Sequence, residues 1–448
     1  MKWFKRAMGA LGFGRRIKAA YYKGAETGRL LWDWIVSPIT ADQEIRNDVR
    51  RLRARARDLA KNSPVIRQYL SLLTANVIGH RGMTLQAQVR NNSGELARDM
   101  NDRIEIAWTD WGRDCSVDGR LDFVGFQRLA LKTVATDGEA FIRKVYGFQN
   151  KYGFALQLID PDLVDHEFNQ VRGKNQPEIR LGVEVDDWGR PTAYHTFDRH
   201  PSDTGGPKDR IRVPANEVIH LYDPERANQT RGVSWLNSVM VPLRMLDGYI
   251  EAELVAARTG AAKMGFLKYT DPSAFEPPDP ATPIRIDASP GTIETLQPGM
   301  EFQEWSPEHP TAAFPDFVKA VLRQVATGLR VSYNALANDL EGVNYSSMRS
   351  GLLIERDMWR VYQEWWIARF LQPVYEAWLS TALLAGGLKL DSRDPRKFND
   401  VRWQPRGWAW VDPEKDVNAS VIAITNGLAS RTEVLAEKGL DPEEVFER

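Results

Sequence analysis

A proline-rich interruption between two helical runs constrains this chain more than any other feature of its 448 residues. From Trp235 to Ala262 apolar side chains recur at helical spacing through Leu246, Ile250, Leu254 and Ala257, with Pro242 either kinking the helix or opening its main part. Thr270 to Thr311 is rich in proline and glycine, carries short β-like runs at Pro283 to Ile286 and Thr292 to Leu296, and ends near Phe302. Helical period resumes over Asp316 to Arg330. The segment between the helices reads as a small protruding module.

Upstream, residues 1 to 70 carry sixteen basic against six acidic side chains. Arg46, Arg50, Arg51, Arg53, Arg55 and Arg57 crowd one helical run, Asp42 to Leu59, which Asn62-Ser63-Pro64 interrupts before a second helix ending at Gly79. Further helices are expected over Ser93 to Trp111 and Asp122 to Thr136. After Gly138 the period drops to two, giving strands through Ala140, Ile142 and Lys144 and through Phe154, Leu156 and Leu158. Gly182 to Phe197 reads as a hairpin around Asp187-Trp188-Gly189-Arg190, and Arg212 to Leu221 as one more short strand. The middle third is therefore α+β. Downstream, the longest helical pattern runs from Ser346 to Leu384 with a bend at Pro373. An aromatic strand is expected at Arg402 to Trp410, a helix at Asp412 to Asn426, and helical pattern again over Ser430 to Glu447, where the chain stops inside a helix and a further tail is expected.

Composition narrows the function classes. Lys plus Arg number 59 against 60 Asp plus Glu, a formal net charge of -1, which argues against a protein whose main task is gripping a polyanion. The single cysteine, Cys115, excludes an intrachain disulfide and a cysteine metal set. No stretch has signal-peptide character or the length of about 18 apolar residues that a membrane span needs. Fifteen tryptophans fit either a large core or extensive contact with other subunits.

Catalytic patterns fail where they begin. Gly9 and Gly14 have phosphate-loop spacing, but Arg15 and Arg16 stand where Lys and Ser or Thr belong, so the reading is a flexible basic arm. His166-Glu167 opens a zinc-protease pattern that Gln170 breaks. Gly232-Val233-Ser234 lacks the second glycine of a nucleophile elbow, and Ser234 reads as a helix cap. None of the six histidines has metal-ligand spacing. Asp160, Asp162 and Asp165 could hold Mg²⁺ for a nuclease or terminase subunit, against the blander expectation of a solvated turn at Pro161. No catalytic residue, metal or cofactor is assigned.

The order and spacing of several stretches resemble the lambda-type family of tailed-bacteriophage portal proteins. They are ADQEIRNDVRRLRARARDLAKNSP (Ala41 to Pro64), DGEAFI (Asp137 to Ile142), LQLIDPDLV (Leu156 to Val164), GVEVDDWGRPTAYH (Gly182 to His195), VPANEVIHLY (Val213 to Tyr222), RGVSW (Arg231 to Trp235), DGYIEAELVAARTGAA (Asp247 to Ala262), YSSMRSGLLIE (Tyr345 to Glu355) and Asp412 to Val434. The resemblance implies an α+β portal fold. Residues 1-234 would be N-terminal arm and wing, 235-262 a first stem helix, 263-313 a clip and 314-333 a second stem helix. A tunnel loop would occupy 334-345, a long wing helix and return strand 346-411, and a crown-like helical segment 412-448. It further implies a homo-oligomeric ring, usually of twelve, at one capsid vertex of the virion, assembled in the host cytoplasm. Implied partners are double-stranded DNA, the terminase large subunit, the major capsid and scaffolding proteins, and head-tail adaptor proteins.

Within that layout Lys319, Arg323 and Arg330 fall on one helical stripe, which either faces the DNA channel or is a solvated face paired with nearby acids. Glu341, Gly342, Val343, Asn344 and Tyr345 would form the loop that touches DNA. For Arg46, Arg50, Arg53 and Arg57 the favoured expectation is pairing with acids of an adjacent subunit, because Asp42, Glu44, Asp48 and Asp58 lie among them. The alternative is a DNA-binding module that grips phosphates with this helix.

Overall fold

Proline and glycine positions set most element boundaries in the computed structural model, which describes residues 38–204, 208–261, 265–269, 300–304, 313–341, 344–390, 395–408, 413–437 and 445. Helix α1 (Ala41–Asn62) starts where Thr40 accepts from the Gln43 amide, and α2 (Pro64–Val77) begins on a proline, whose missing N–H costs nothing in a first turn. After strand β1 (Thr84–Ala87) come α3 (Arg98–Gly112) and α4 (Phe123–Asp137). Asp122 caps α4 through the Gly125 amide, and Gly138, at φ 91°, ends it in the left-handed conformation that only glycine adopts cheaply.

Strands β2 (Glu139–Tyr146), β3 (Phe154–Ile159) and β8 (Val218–Tyr222) form one antiparallel sheet in the order β3-β2-β8. Strands β4 (Glu178–Arg180), β5 (Val183–Val185), β6 (Pro191–Phe197) and β7 (Arg210–Pro214) form a second. The expected hairpin is present, with Gly189 at φ 76° in its turn. The single strand expected at Arg212 to Leu221 is instead two, because Pro214 and the 3₁₀ turn Ala215–Glu217 pass the chain from one sheet to the other. Period-two alternation serves both faces of β2. Ala140 and Ile142 pack into the helical core, and Phe141 joins Val164, Val183, Tyr194 and Val213 in a smaller core between the sheets.

Helix α5 (Met240–Ala261) has Pro242 in its first turn, so the proline opens the helix. Strands β9 (Gly265–Tyr269) and β10 (Met300–Glu304) pair antiparallel, and the runs expected at Pro283 to Ile286 and Thr292 to Leu296 lie outside the described residues. Helix α6 (Phe314–Gly328) returns beside α5. Tyr249 packs on Phe314 and Phe317, with ring centroids 5.7 and 5.0 Å apart, while at the other end Gly328 abuts Val239. A short α7 (Tyr333–Ala337) leads to α8 (Tyr345–Trp366), a π-helical turn at Ile367–Leu371, and α9 (Gln372–Leu384). The wide turn stands directly before Pro373, which has no N–H to donate and whose ring would crowd the Arg369 carbonyl. Strand β11 (Val401–Gln404), shorter than expected, pairs with β1, and α10 (Pro413–Thr425) and α11 (Arg431–Glu437) follow. Because β1 lies inside a short run broken by Gly82 and Asn91, no period-two signal announced it.

The helical core is largely aromatic. Trp108 contacts Trp111, Phe123, Tyr375, Trp378 and Trp403 at centroid distances of 4.8 to 5.7 Å, joining α3, α4, α9 and β11. Most described tryptophans are therefore core residues, although Trp188 at the hairpin tip is 88% exposed. Trp378 is fully buried, and its Nε1–H has no hydrogen-bond partner. Trp378→Ala should cost about 3–5 kcal/mol of stability. Trp378→Phe should cost less, since it removes the orphaned donor along with part of the ring; urea denaturation of both variants checks the order.

Candidate functional site

One buried carboxylate gathers most of the stretches that carry the family resemblance. Glu139, the first residue of β2, is 0% exposed. Its oxygens accept from Arg231 Nε at 2.8 and 3.0 Å, from His220 Nε2 at 2.9 Å and from the Gly232 amide at 2.9 Å, and Arg53 Nη2 donates to it from α1. Arg231 spends its other N–H groups on the carbonyls of Leu181 (2.6 Å) and Pro161 (3.2 Å), and Arg53 donates to Pro161 O (3.2 Å) and Asp137 O (3.3 Å). Every nitrogen of both guanidiniums thus has an acceptor, as a buried charge requires.

A second layer lies toward solvent. Arg57 holds Asp137 with both carboxylate oxygens (2.7 and 2.9 Å), Asp162 (2.6 Å) and Asp160 (2.8 Å), while Arg53 also reaches Asp162 (3.1 Å). Close approach of the backbone makes the arrangement possible. A Cβ on Gly138 would fall 2.3 Å from the Val233 carbonyl carbon, and one on Gly232 would fall 2.1 Å from the Gly138 oxygen. The two glycines of DGEAFI and RGVSW pass against each other with no room for side chains.

Electrostatics follow the geometry. Burial alone would raise the Glu139 carboxyl, but Arg231 and then Arg53 reverse this and hold it well below the usual carboxylate range. Burial depresses His220, whose ring stacks on Phe141 at 4.2 Å, so it is neutral at neutral pH. Because ionised Glu139 only accepts, the His220 proton sits on Nε2.

These contacts correct two expectations. Arg53 and Arg57 pair with Asp137, Glu139, Asp160 and Asp162 of their own chain, so their charges are not available to a neighbouring subunit or to phosphates. Arg46 lies near Glu167 (3.3 Å) in an exposed intrachain pair, whereas Arg50 is exposed without an ion pair among the described residues. Asp160 and Asp162 do lie at a turn directly after β3, with Asp160 exposed, but the charges of all three aspartates are paired with arginines of the chain. The first two sit in and before the 3₁₀ turn Pro161–Leu163 under Arg57, and Asp165 pairs with Arg210 at 2.7 Å. Asp160, Asp162 and His200 do converge closely enough to ligate an ion, but the Arg57 guanidinium already occupies that charge. Glu139, His220 and Arg231 were missed individually; the available signal was a charged residue directly before the apolar run Ala140-Phe141-Ile142 at the start of a strand.

The expected helical stripe is broken. Lys319 Nζ lies 3.0 Å from Glu341 and 3.6 Å from Asp339, which raise its pKa, and the Arg323 guanidinium sits 5.4 Å from the Tyr333 ring centre. Arg330 is off the helix. At φ 58° it occupies the left-handed position that ends α6, with the Val331 amide reaching Ala326 O and its own amide reaching Thr327 O. There it lines a cavity of about 230 Å³ with Tyr69 and Tyr362. Glu341 and Asn344 are exposed, Tyr345 begins α8, and Gly342 and Val343 lie outside the described residues.

Residues 27–363 match the family model described as phage portal protein, lambda family. The chain belongs to that family. The probable portal protein of Halomonas phage phiHAP-1 is 36% identical over 417 residues, 91% of this chain and 80% of that protein. Portal protein B of Escherichia phage lambda is 22% identical over 485 residues, 96% of this chain and 88% of that one. Among solved structures, a chain in the neck of an empty gene transfer agent particle, computed with C6 symmetry, has a TM-score of 0.47 and 14% identity, covering 93% of this chain and 99% of its own.

In this portal protein the Glu139 cluster ties α1, the two sheets and the approach to α5 into one body. Glu139→Gln leaves Arg231 buried without its counter-charge and Arg53 with Asp162 alone, and should cost about 3–5 kcal/mol, read as a lowered urea midpoint. His220 is depressed below its unfolded value of 6.5, so the unfolded state binds the extra proton and stability falls as pH drops through that value. Glu139 adds a second loss below its unfolded value of 4.5. His220→Gln should remove part of the stability change between pH 7 and 5, measured by urea midpoints across that range.

Proposed function

We propose that this portal protein assembles into a ring of twelve subunits at one vertex of the capsid and conducts double-stranded DNA through its centre. It is a virion component, assembled in the host cytoplasm, and carries out no covalent chemistry itself. The observation that carries the reading is the antiparallel pair α5 and α6, closed at its far end by the β9–β10 ladder. Such an excursion is what a two-helix stem with a projecting clip requires. At 1.5 Å per residue the 22 residues of α5 extend about 33 Å, a length suited to crossing a shell wall.

In this reading residues 235–262 and 314–333 are the stem, the second helix ending at Gly328 and the chain turning at Arg330. Residues 263–313 form the clip, which docks the terminase large subunit during packaging and head-tail adaptor proteins afterwards. Residues 334–345 form the tunnel loop, tethered at Glu341 by Lys319. The wing, 1–234 with 346–411, meets the major capsid and scaffolding proteins, and 412–448 is crown-like. Lys319 and Arg323 line the DNA path beside Asn344 and the loop. With Lys319 balanced by two carboxylates, the path slides DNA rather than holding it.

Negative-stain microscopy of the purified protein tests the reading directly: closed rings with an axial hole support it, and a monodisperse monomer overturns it. In assembled heads, Lys319→Glu with Arg323→Glu should slow packaging or reduce genome retention. Normal values for both would remove these residues from the channel.

A further inference from the structure

Two outward faces of this chain have complementary character. Helices α1 and α8 both pack on α2, and each keeps a face toward solvent. On the α1 side, a groove of about 510 Å³ runs between α1 and α5, floored by Leu59 and Met240 with Val241 and Met245. Val241 is 61% exposed and Met245 71%. Arg55 and Arg244 also line it, and neither has an ion pair among the described residues, while Asp58 bonds Asn62.

Helix α8 buries Trp359, Gln363 and Trp366 and turns Ile354, Asp357, Val361 and Glu364 outward at spacings of three and four. Ile354 is 70% exposed and Val361 60%. Acid alternates with apolar side chain along this stripe. Arg360, beside Asp357 at 3.1 Å, leans toward Trp408 and leaves Glu364 unopposed. Packing groove against groove across a two-fold axis would bring Arg55 and Arg244 against their own copies, whereas groove against stripe pairs opposite charges.

We infer that the α1–α5 groove of one subunit receives the α8 stripe of the next, with Arg55 and Arg244 facing Asp357 and Glu364. The contact joins unlike surfaces of the same chain, the head-to-tail arrangement that closes into a ring. It rests on the ring reading above and names the surfaces that build it. Arg55, and not Arg53 or Arg57, is then the residue of the arginine-rich helix that reaches a neighbour.

Cross-linking tests the pairing on the full chain. Cys115, the one native cysteine, is buried, and burial pushes its thiol up to about 12, so introduced cysteines are those a short bis-maleimide reaches. Met245→Cys with Val361→Cys in one chain should give a ladder of covalent oligomers on denaturing gels, and either cysteine alone should give none. A covalent dimer from Met245→Cys alone would demonstrate a two-fold contact and overturn the inference, as would rings that yield no ladder. Arg55→Glu with Arg244→Glu should raise the concentration needed for rings at least tenfold, and adding Asp357→Arg with Glu364→Arg should restore it. Folded variants that assemble like the parent, or a combination that restores nothing, would also overturn it. If the parent chain itself stays monomeric, the ring reading fails, and this contact with it.

Discussion

A fully buried carboxylate sets the terms for the rest of this fold. Glu139 is tolerable only because two guanidiniums, an imidazole and a backbone amide converge on it from three separate parts of the chain, Arg53, His220 and the adjacent Arg231 and Gly232. Taking such charges out of water costs several kcal/mol per ion, so a cluster of this kind is a poor source of net stability compared with a hydrophobic core. What it imposes is register. Any slip of α1, β2, β8 or the turn at Pro161 would strand a charge, so the arrangement is held to one solution.

The same constraint explains why the family resemblance reads as scattered short stretches. DGEAFI contributes Asp137, Gly138 and Glu139, LQLIDPDLV contributes Asp160 and Asp162, VPANEVIHLY contributes His220, and RGVSW contributes Arg231 and Gly232. They are separated in sequence and adjacent in space. They belong to the scaffold, and the helices proposed to meet DNA lie elsewhere.

Much of the architecture was legible because period and punctuation agree locally. Thr40, Pro64, Asp122 and Gly138 bound helices by mechanisms that need no tertiary information, and the hairpin at Gly189 does likewise. Three features depended on contacts that no window shows. Strand β1 exists because β11, more than 300 residues away, supplies its partner. Arg330 leaves the helical stripe because the left-handed turn falls on an arginine and not on a neighbouring glycine, and Gly328, the natural choice, is instead needed where α6 meets Val239. Arg53 and Arg57 of α1 find their acids within the chain, which the sequence could not show, since interdigitated charge along a helix does not say where the opposite charges come from.

The crossing of Gly138 and Gly232 also bears on how the chain is made. Glu139 follows Arg53 by 86 residues and precedes Arg231 by 92. At roughly 5–20 residues per second, on the order of 5–20 s pass between synthesis of the carboxylate and synthesis of its second guanidinium. During that interval the cluster is incomplete, and the backbone of Val233 and Ser234 that closes over Gly138 does not yet exist. The N-terminal region is therefore locked only as α5 begins to appear, which times its completion to the emergence of the helix proposed as the first stem helix.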